Sequence, residues 1–102
     1  NVYKLELLSS NNTLYPKIFE FEIYPNPFNP ITTIRYDLNQ NANVQIFIYD
    51  ITGRLIATLI NGFQTADYHS IKWDASNFSS GIYFIKLSSS EFTETKKILF
   101  IK

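Results

Sequence analysis

The heptad Tyr24-Pro25-Asn26-Pro27-Phe28-Asn29-Pro30 constrains this chain more than any other stretch, because three of its four prolines fall inside it. Proline holds φ at about −65° and donates no backbone hydrogen bond. It also drives the preceding residue out of the helical region. Tyr24, Asn26 and Asn29 are therefore expected to be extended, and the heptad can be neither helix nor central strand. Two large aromatics in so stiff a stretch, Tyr24 and Phe28, predict a segment pinned to the edge of a sheet rather than a free spacer.

The residues after the heptad alternate with a period of two, as strands do. In residues 32–38, Thr32, Ile34, Tyr36 and Leu38 share one face, with Thr33, Arg35 and Asp37 on the other. In 69–75, His69, Ile71, Trp73 and Ala75 oppose Ser70, Lys72 and Asp74. Residues 44–51 are apolar on both faces, with Val44, Ile46 and Ile48 alternating with Phe47, Tyr49 and Ile51; a central strand covered on both sides is expected. Residues 82–87 read the same way. Three glycines punctuate the pattern: Thr52-Gly53 as a tight hairpin turn, Asn61-Gly62 as the start of a loop after 54–60, and Gly81 closing the Asn77–Ser80 loop. Ser88-Ser89-Ser90 offers the last turn, before residues 92–101. No amphipathic helix is evident. Short strands at this spacing predict an all-β antiparallel sandwich over residues 24–102.

Residues 1–23 read as a separate hairpin or linker. Tyr3, Leu5 and Leu7 alternate with Lys4, Glu6 and Leu8, Asn11-Asn12 signals a turn, and residues 17–23 return. An isolated hairpin is marginal in water, so it is expected either to dock on the sandwich or to supply it with an edge strand.

A chain of 102 residues suits one domain with an appended fragment. Its formal net charge is zero, which gives no electrostatic case for nucleic acid. Without cysteine there are no disulfides, thiolate metal sites or cysteine nucleophiles, so the domain must be held by packing. Aromatics at 17% of residues fit a thin core filled by Phe, Tyr and Trp. No apolar run approaches the ~20 residues of a membrane span. The N-terminus lacks the basic and apolar regions of a signal peptide, so any export signal is expected upstream.

Chemistry-bearing residues are sparse. His69 is the single histidine and shares a face with Ile71 and Trp73, as a core or edge histidine would. No serine lies in a nucleophile-elbow context, so no catalytic residue is assigned. Asp50 and Asp74 end strands, where carboxylates cap turns. A calcium ion on loop oxygens is the alternative there, but no metal or cofactor is assigned. Trp73 is read as a core residue, with a carbohydrate-binding platform as its alternative. In the tail, Lys96-Lys97 precede Ile98-Leu99-Phe100-Ile101-Lys102. Lysines guard an edge strand against aggregation, and an apolar strand flanked by positive charge also suits recognition by main-chain pairing.

The heptad, Thr33-Ile34-Arg35-Tyr36, Val44 to Asp50, Gly53-Arg54, Trp73-Asp74, Ser80 to Leu87 and Lys96 to Lys102 occur in an order that resembles the type A C-terminal sorting domain of the bacterial type IX secretion system, over about residues 24–102. The resemblance implies an immunoglobulin-like β-sandwich of about seven strands. The N-terminal hairpin resembles the last strands of a fibronectin-like domain that often precedes it. Also implied are a non-catalytic secretion signal, a covalently linked N-terminal passenger, the secretion machinery and a sortase-like peptidase as partners, and passage through the periplasm to the outer-membrane surface or the exterior. By the resemblance, residues 96–102 serve recognition by the translocon, whereas Tyr24, Pro25, Asn26, Pro27, Phe28, Gly53, Trp73, Gly81 and Tyr83 are motif positions with mainly structural roles. Asn39 stands where the family commonly has proline, and Asp67 where it has glycine. A carbohydrate-binding module and a passive immunoglobulin-like spacer are the alternatives to a sorting signal.

Overall fold

The computed structural model describes residues 5–8, 13–16, 21–90 and 92–102. Nine strands run in chain order: β1 (Leu5–Leu8), β2 (Thr13–Pro16), β3 (Phe21–Tyr24), β4 (Ile31–Asp37), β5 (Ala42–Asp50), β6 (Leu55–Gln64), β7 (Tyr68–Asp74), β8 (Gly81–Ser88) and β9 (Thr93–Phe100). β1 and β2 pair as an antiparallel hairpin. The other seven form a sandwich of a three-stranded sheet, β3-β4-β7, and a four-stranded sheet, β6-β5-β8-β9, antiparallel throughout.

The inner faces follow the alternation. Thr32, Ile34, Tyr36, Trp73 and Ala75 meet Val44, Ile46, Ile48, Tyr83, Ile85, Leu87, Ile98 and Phe100 in one core. Full burial of such a side chain contributes roughly 1.5–3 kcal/mol, so the core replaces the disulfides that the sequence excludes. Two polar residues are buried: the Thr32 hydroxyl donates to the Pro25 carbonyl at 2.7 Å, and Asp37, which the alternation put on the outer face, is buried at the end of β4.

Turn chemistry fixes the register at one end. Gly53 has φ +86°, and its N–H donates to the Asp50 carbonyl at 2.9 Å, closing the β5–β6 hairpin. Gly81 opens β8 with φ +152°.

The structure corrects four further expectations. Asn61-Gly62 starts no loop: both lie inside β6, with Gly62 opposite Val44. The ladder runs through them in register, with Asn61 opposite Gln45; the two register shifts of the β5–β6 pair, between Ile46 and Phe47 and between Ile48 and Tyr49, fall nearer the start of β6. β5 and β8 are the inner strands of their sheet, but a two-layer sandwich covers one face only. Phe47, Tyr49, Ile82 and Phe84 are half-buried on the outer face, and Ile51 is exposed. The return strand of the hairpin is Thr13–Pro16, not 17–23; residues 17–20 lie outside the described residues, and β3 pairs with β4 in the sandwich. Finally, Tyr24 is not pinned: it is 78% exposed, whereas Phe28 is buried.

Candidate functional site

The heptad leaves β3 and crosses to the outer edge of β9. The Phe28 N–H donates to the Leu99 carbonyl and the Phe28 carbonyl accepts from the Ile101 N–H, both at 3.0 Å, in a parallel bridge with Phe100. One step earlier, the Asn26 side chain continues the ladder. Its Nδ2 donates to the Lys97 carbonyl at 3.2 Å and its Oδ1 accepts from the Leu99 N–H at 3.0 Å. A carboxamide carries one acceptor and a donor group in the same plane, so Asn26 stands in for a peptide unit of a neighbouring strand. The segment is fastened at both ends, by Thr32 on the Pro25 carbonyl and by the Ala75 N–H on the Pro30 carbonyl at 2.9 Å. The Tyr24-Pro25, Asn26-Pro27 and Asn29-Pro30 bonds are cis. Because Pro25, Pro27 and Pro30 have no N–H, this strap caps an edge while offering few donors of its own.

The Phe28 side chain anchors the strap. It stacks on Phe100 at 5.1 Å and touches Trp73 at 5.7 Å between ring centroids. Trp73 in turn packs against Phe78 at 5.7 Å and edge-on against Tyr83 at 5.5 Å. The Tyr83 hydroxyl donates to the Ser79 carbonyl. Trp73 is 4% exposed, so its ring is no sugar platform. Phe28, Trp73 and Tyr83 thus form a chain of ring contacts that reaches Phe100 through Phe28, and Gly81 lies opposite Phe100 in the ladder. Tyr24 and Gly53 take no part in this cluster.

β9 presents two rows. Ile98 and Phe100 point into the core, whereas Lys97, Leu99, Ile101 and Lys102 are exposed. The Lys102 N–H donates to Ser80 Oγ at 3.1 Å, and Lys102 Nζ lies 5.9 Å from the Phe100 ring centroid. Lys96 reaches back over the Phe21 ring at 5.6 Å and pairs with Glu94 at 3.8 Å. The roles of Asn26 and Ser80 escape sequence reading, since an isolated polar residue beside proline gives no sign of its partner across the fold.

The other polar candidates are accounted for by turns and packing. His69 stacks on Tyr36 at 5.1 Å, and its Nε2 donates to the Thr65 carbonyl at 2.7 Å. Asp50 accepts from the Thr52 hydroxyl, the backbone of Thr52 and Arg54, and the Arg54 side chain. The Thr52 hydroxyl is foremost among the groups that hold its carboxyl below the ordinary 3.8. Ser76 does the same for Asp74, through its hydroxyl and then its N–H. At Asp67, where the family commonly has glycine, it is the backbone carbonyl that accepts from the Leu38 N–H, at 2.9 Å. Among the described residues no three His, Asp or Glu side chains converge as metal ligands.

Comparison with known proteins places this arrangement. A family model described as a secretion system C-terminal sorting domain matches residues 22–102, from β3 to the last residue. The chain belongs to this family of sorting domains. Two solved structures from Porphyromonas gingivalis are similar. One is PorZ, an essential surface component of its type IX secretion system, at 25% identity and TM-score 0.59, with 80% of this chain and 11% of that chain covered. The other, dimeric latent PorU, shares the fold at 23% identity and TM-score 0.64, with 82% and 9% covered. The chain therefore spans about a tenth of the length of each. No curated protein matches it. The sorting domain is a type IX secretion signal, which implies export to the cell surface or the extracellular space. Among the described residues no helix is long and apolar enough to cross a membrane.

Proposed function

We propose that this sorting domain is a non-catalytic address, read by the type IX machinery at the terminal segment Lys96–Lys102 while the heptad holds that segment in one conformation. The observation that carries the reading is the division of β9. Ile98 and Phe100 fix the strand in the core, which leaves Lys97, Leu99, Ile101 and Lys102 on the surface. An exposed apolar row flanked by lysines, on a strand with few conformations, loses little entropy when it binds. The passenger is attached N-terminally, with β1–β2 as the tail of a preceding fibronectin-like unit. It passes through the periplasm, and a sortase-like peptidase releases it N-terminal to the sandwich.

The test is a reporter fused before Asn1 in a host with this machinery. Leu99→Asp with Ile101→Asp should leave the domain folded by circular dichroism and hold the reporter in the periplasm. Equal secretion of a folded double variant overturns the reading and favours a passive spacer.

A further inference from the structure

The strap covers only part of β9. Leu99, Ile101 and the Lys97 carbonyl take the bonds from Asn26 and Phe28, so the odd-numbered residues direct their backbone groups away from β8. By the same alternation, the Lys97 N–H and both backbone groups of Thr95 and Thr93 face outward, with no partner among the described residues. β3 is likewise the edge strand of its sheet, with β4 as its neighbour. Where β3 diverges from β9, a cleft of about 660 Å³ opens. Three cations, Arg35, Lys96 and Lys97, and one carboxylate, Glu22, line it together with Ile23, Tyr24, Asn26 and Thr33, so its charge is positive on balance.

The cations in this cleft are weakly committed. Arg35 meets Glu22 at 3.6 Å and Lys96 meets Glu94 at 3.8 Å, both at the surface, where such pairs contribute little. Lys97 has no ion pair among the described residues. An unpaired strand edge beside available cations fits an extended chain that bears carboxylates. Main-chain bonds supply affinity in such a mode, and the alternate side chains supply selectivity.

We propose that the cleft between β3 and β9 receives an extended acidic segment of a partner protein, which pairs with the open part of β9 and sets carboxylates against Arg35, Lys96 and Lys97. The cleft shares Lys96 and Lys97 with the segment proposed to be read in secretion, but it uses neither Leu99 nor Ile101, so peptide binding here can fail or hold independently of that reading.

The experiment titrates the 15N-labelled chain with a synthetic peptide of alternating glutamate and valine, and with its lysine-valine counterpart. The acidic peptide should shift the amides of Thr95 and Lys97 and slow their hydrogen exchange, and binding should weaken as salt rises. Lys97→Glu and Arg35→Glu lie at the surface and should keep the fold, and each should weaken binding by about fivefold or more. Methylation of the peptide backbone nitrogens that face β9 should abolish it. Equal binding of the lysine peptide, shifts confined to another surface, or no binding at millimolar peptide overturns the proposal. So does concentration-dependent self-association through the same amides, which would make a second copy of the chain the occupant.

Discussion

The two edges of the four-stranded sheet are guarded in different ways. β6 guards itself. Its pairing with β5 slips twice, and its exposed positions fall at Leu55, Thr58 and Asn61, a spacing of three over the bulged part, before Phe63 restores a spacing of two. Bulges twist an edge and break the flat ladder that another strand needs. β9 pairs with β8 without a register shift. A regular edge that ends in an apolar run is a template for association, and a separate segment, the heptad, covers its second half, from the Lys97 carbonyl onward. Protection written into a strand's own geometry is permanent, whereas protection by a strap rests on a few anchors. In this domain the strapped edge is the one that carries the terminal residues.

The largest expected effect comes from the anchor. Phe28→Ala should destabilise the domain by about 3–5 kcal/mol in denaturant unfolding, as core aromatic truncations do. Under native conditions the Leu99 and Ile101 amides should exchange faster, with those of β6 unchanged. Trp73→Ala, beneath the same ring, should cost a similar ~3–5 kcal/mol. A loss below about 1 kcal/mol for either variant would mean that the aromatic cluster does not hold the strap.

Asn26→Ala should cost about 1 kcal/mol, since it removes two exposed hydrogen bonds. Its signature is faster exchange at Leu99 while Ile101, bonded to the Phe28 carbonyl, stays protected. Equal acceleration at both would show that the strap releases as one piece.

β6 supplies the contrast. A Cβ built at Gly62 meets nothing within 4 Å and the residue has no positive φ, so Gly62→Val should be neutral or stabilise by roughly 0.5 kcal/mol. Gly53→Ala should destabilise instead, because φ +86° is unfavourable for a residue with a side chain. If Gly62→Val destabilised by more than about 1 kcal/mol, β6 would need its glycine for the bulged path.

The smallest effect is in acid. The folded-state pKa values of Asp50 and Asp74 lie below 3.8, so their stabilisation is present above about pH 4 and disappears as pH falls through the lowered values. Unfolding measured from pH 7 to 2 should be level above about pH 5 and decline below about pH 4, with a shallower decline in Asp50→Asn and Asp74→Asn. Both groups are exposed, so an unchanged slope in both variants would assign the acid limb to other carboxylates.

Legibility in the sequence followed the regularity of the strands. β4 and β7 pair without a register shift, and the inward residues of Thr32 to Leu38, with Trp73 and Ala75, read correctly; only Asp37, read as outward, is buried where β4 ends. At Asn61-Gly62 the sequence reads as a loop because the dipeptide favours turns, whereas the pairing with Val44 and Gln45 carries β6 straight through it; the bulges nearer the start of β6 remove the period of two that would have marked the strand. β5 was given two covered faces because Phe47 and Tyr49 are as apolar as Ile46 and Ile48. Composition reports that a surface is apolar; the number of layers decides whether it is covered.

By itself the sequence determined the class of fold, the stiffness of the heptad and the absence of covalent cross-links, because these follow from torsional limits, side-chain periodicity and residue type, all local properties. The ordered motifs likewise pointed to the family. Only the tertiary structure decided that Asn26 would complete the ladder of a strand 71 residues away, that Phe28 would be anchored and Tyr24 left in water, and that one half of β9 would be sealed and the other open. Those outcomes depend on which edges the two sheets bring together, and no local preference encodes that distance.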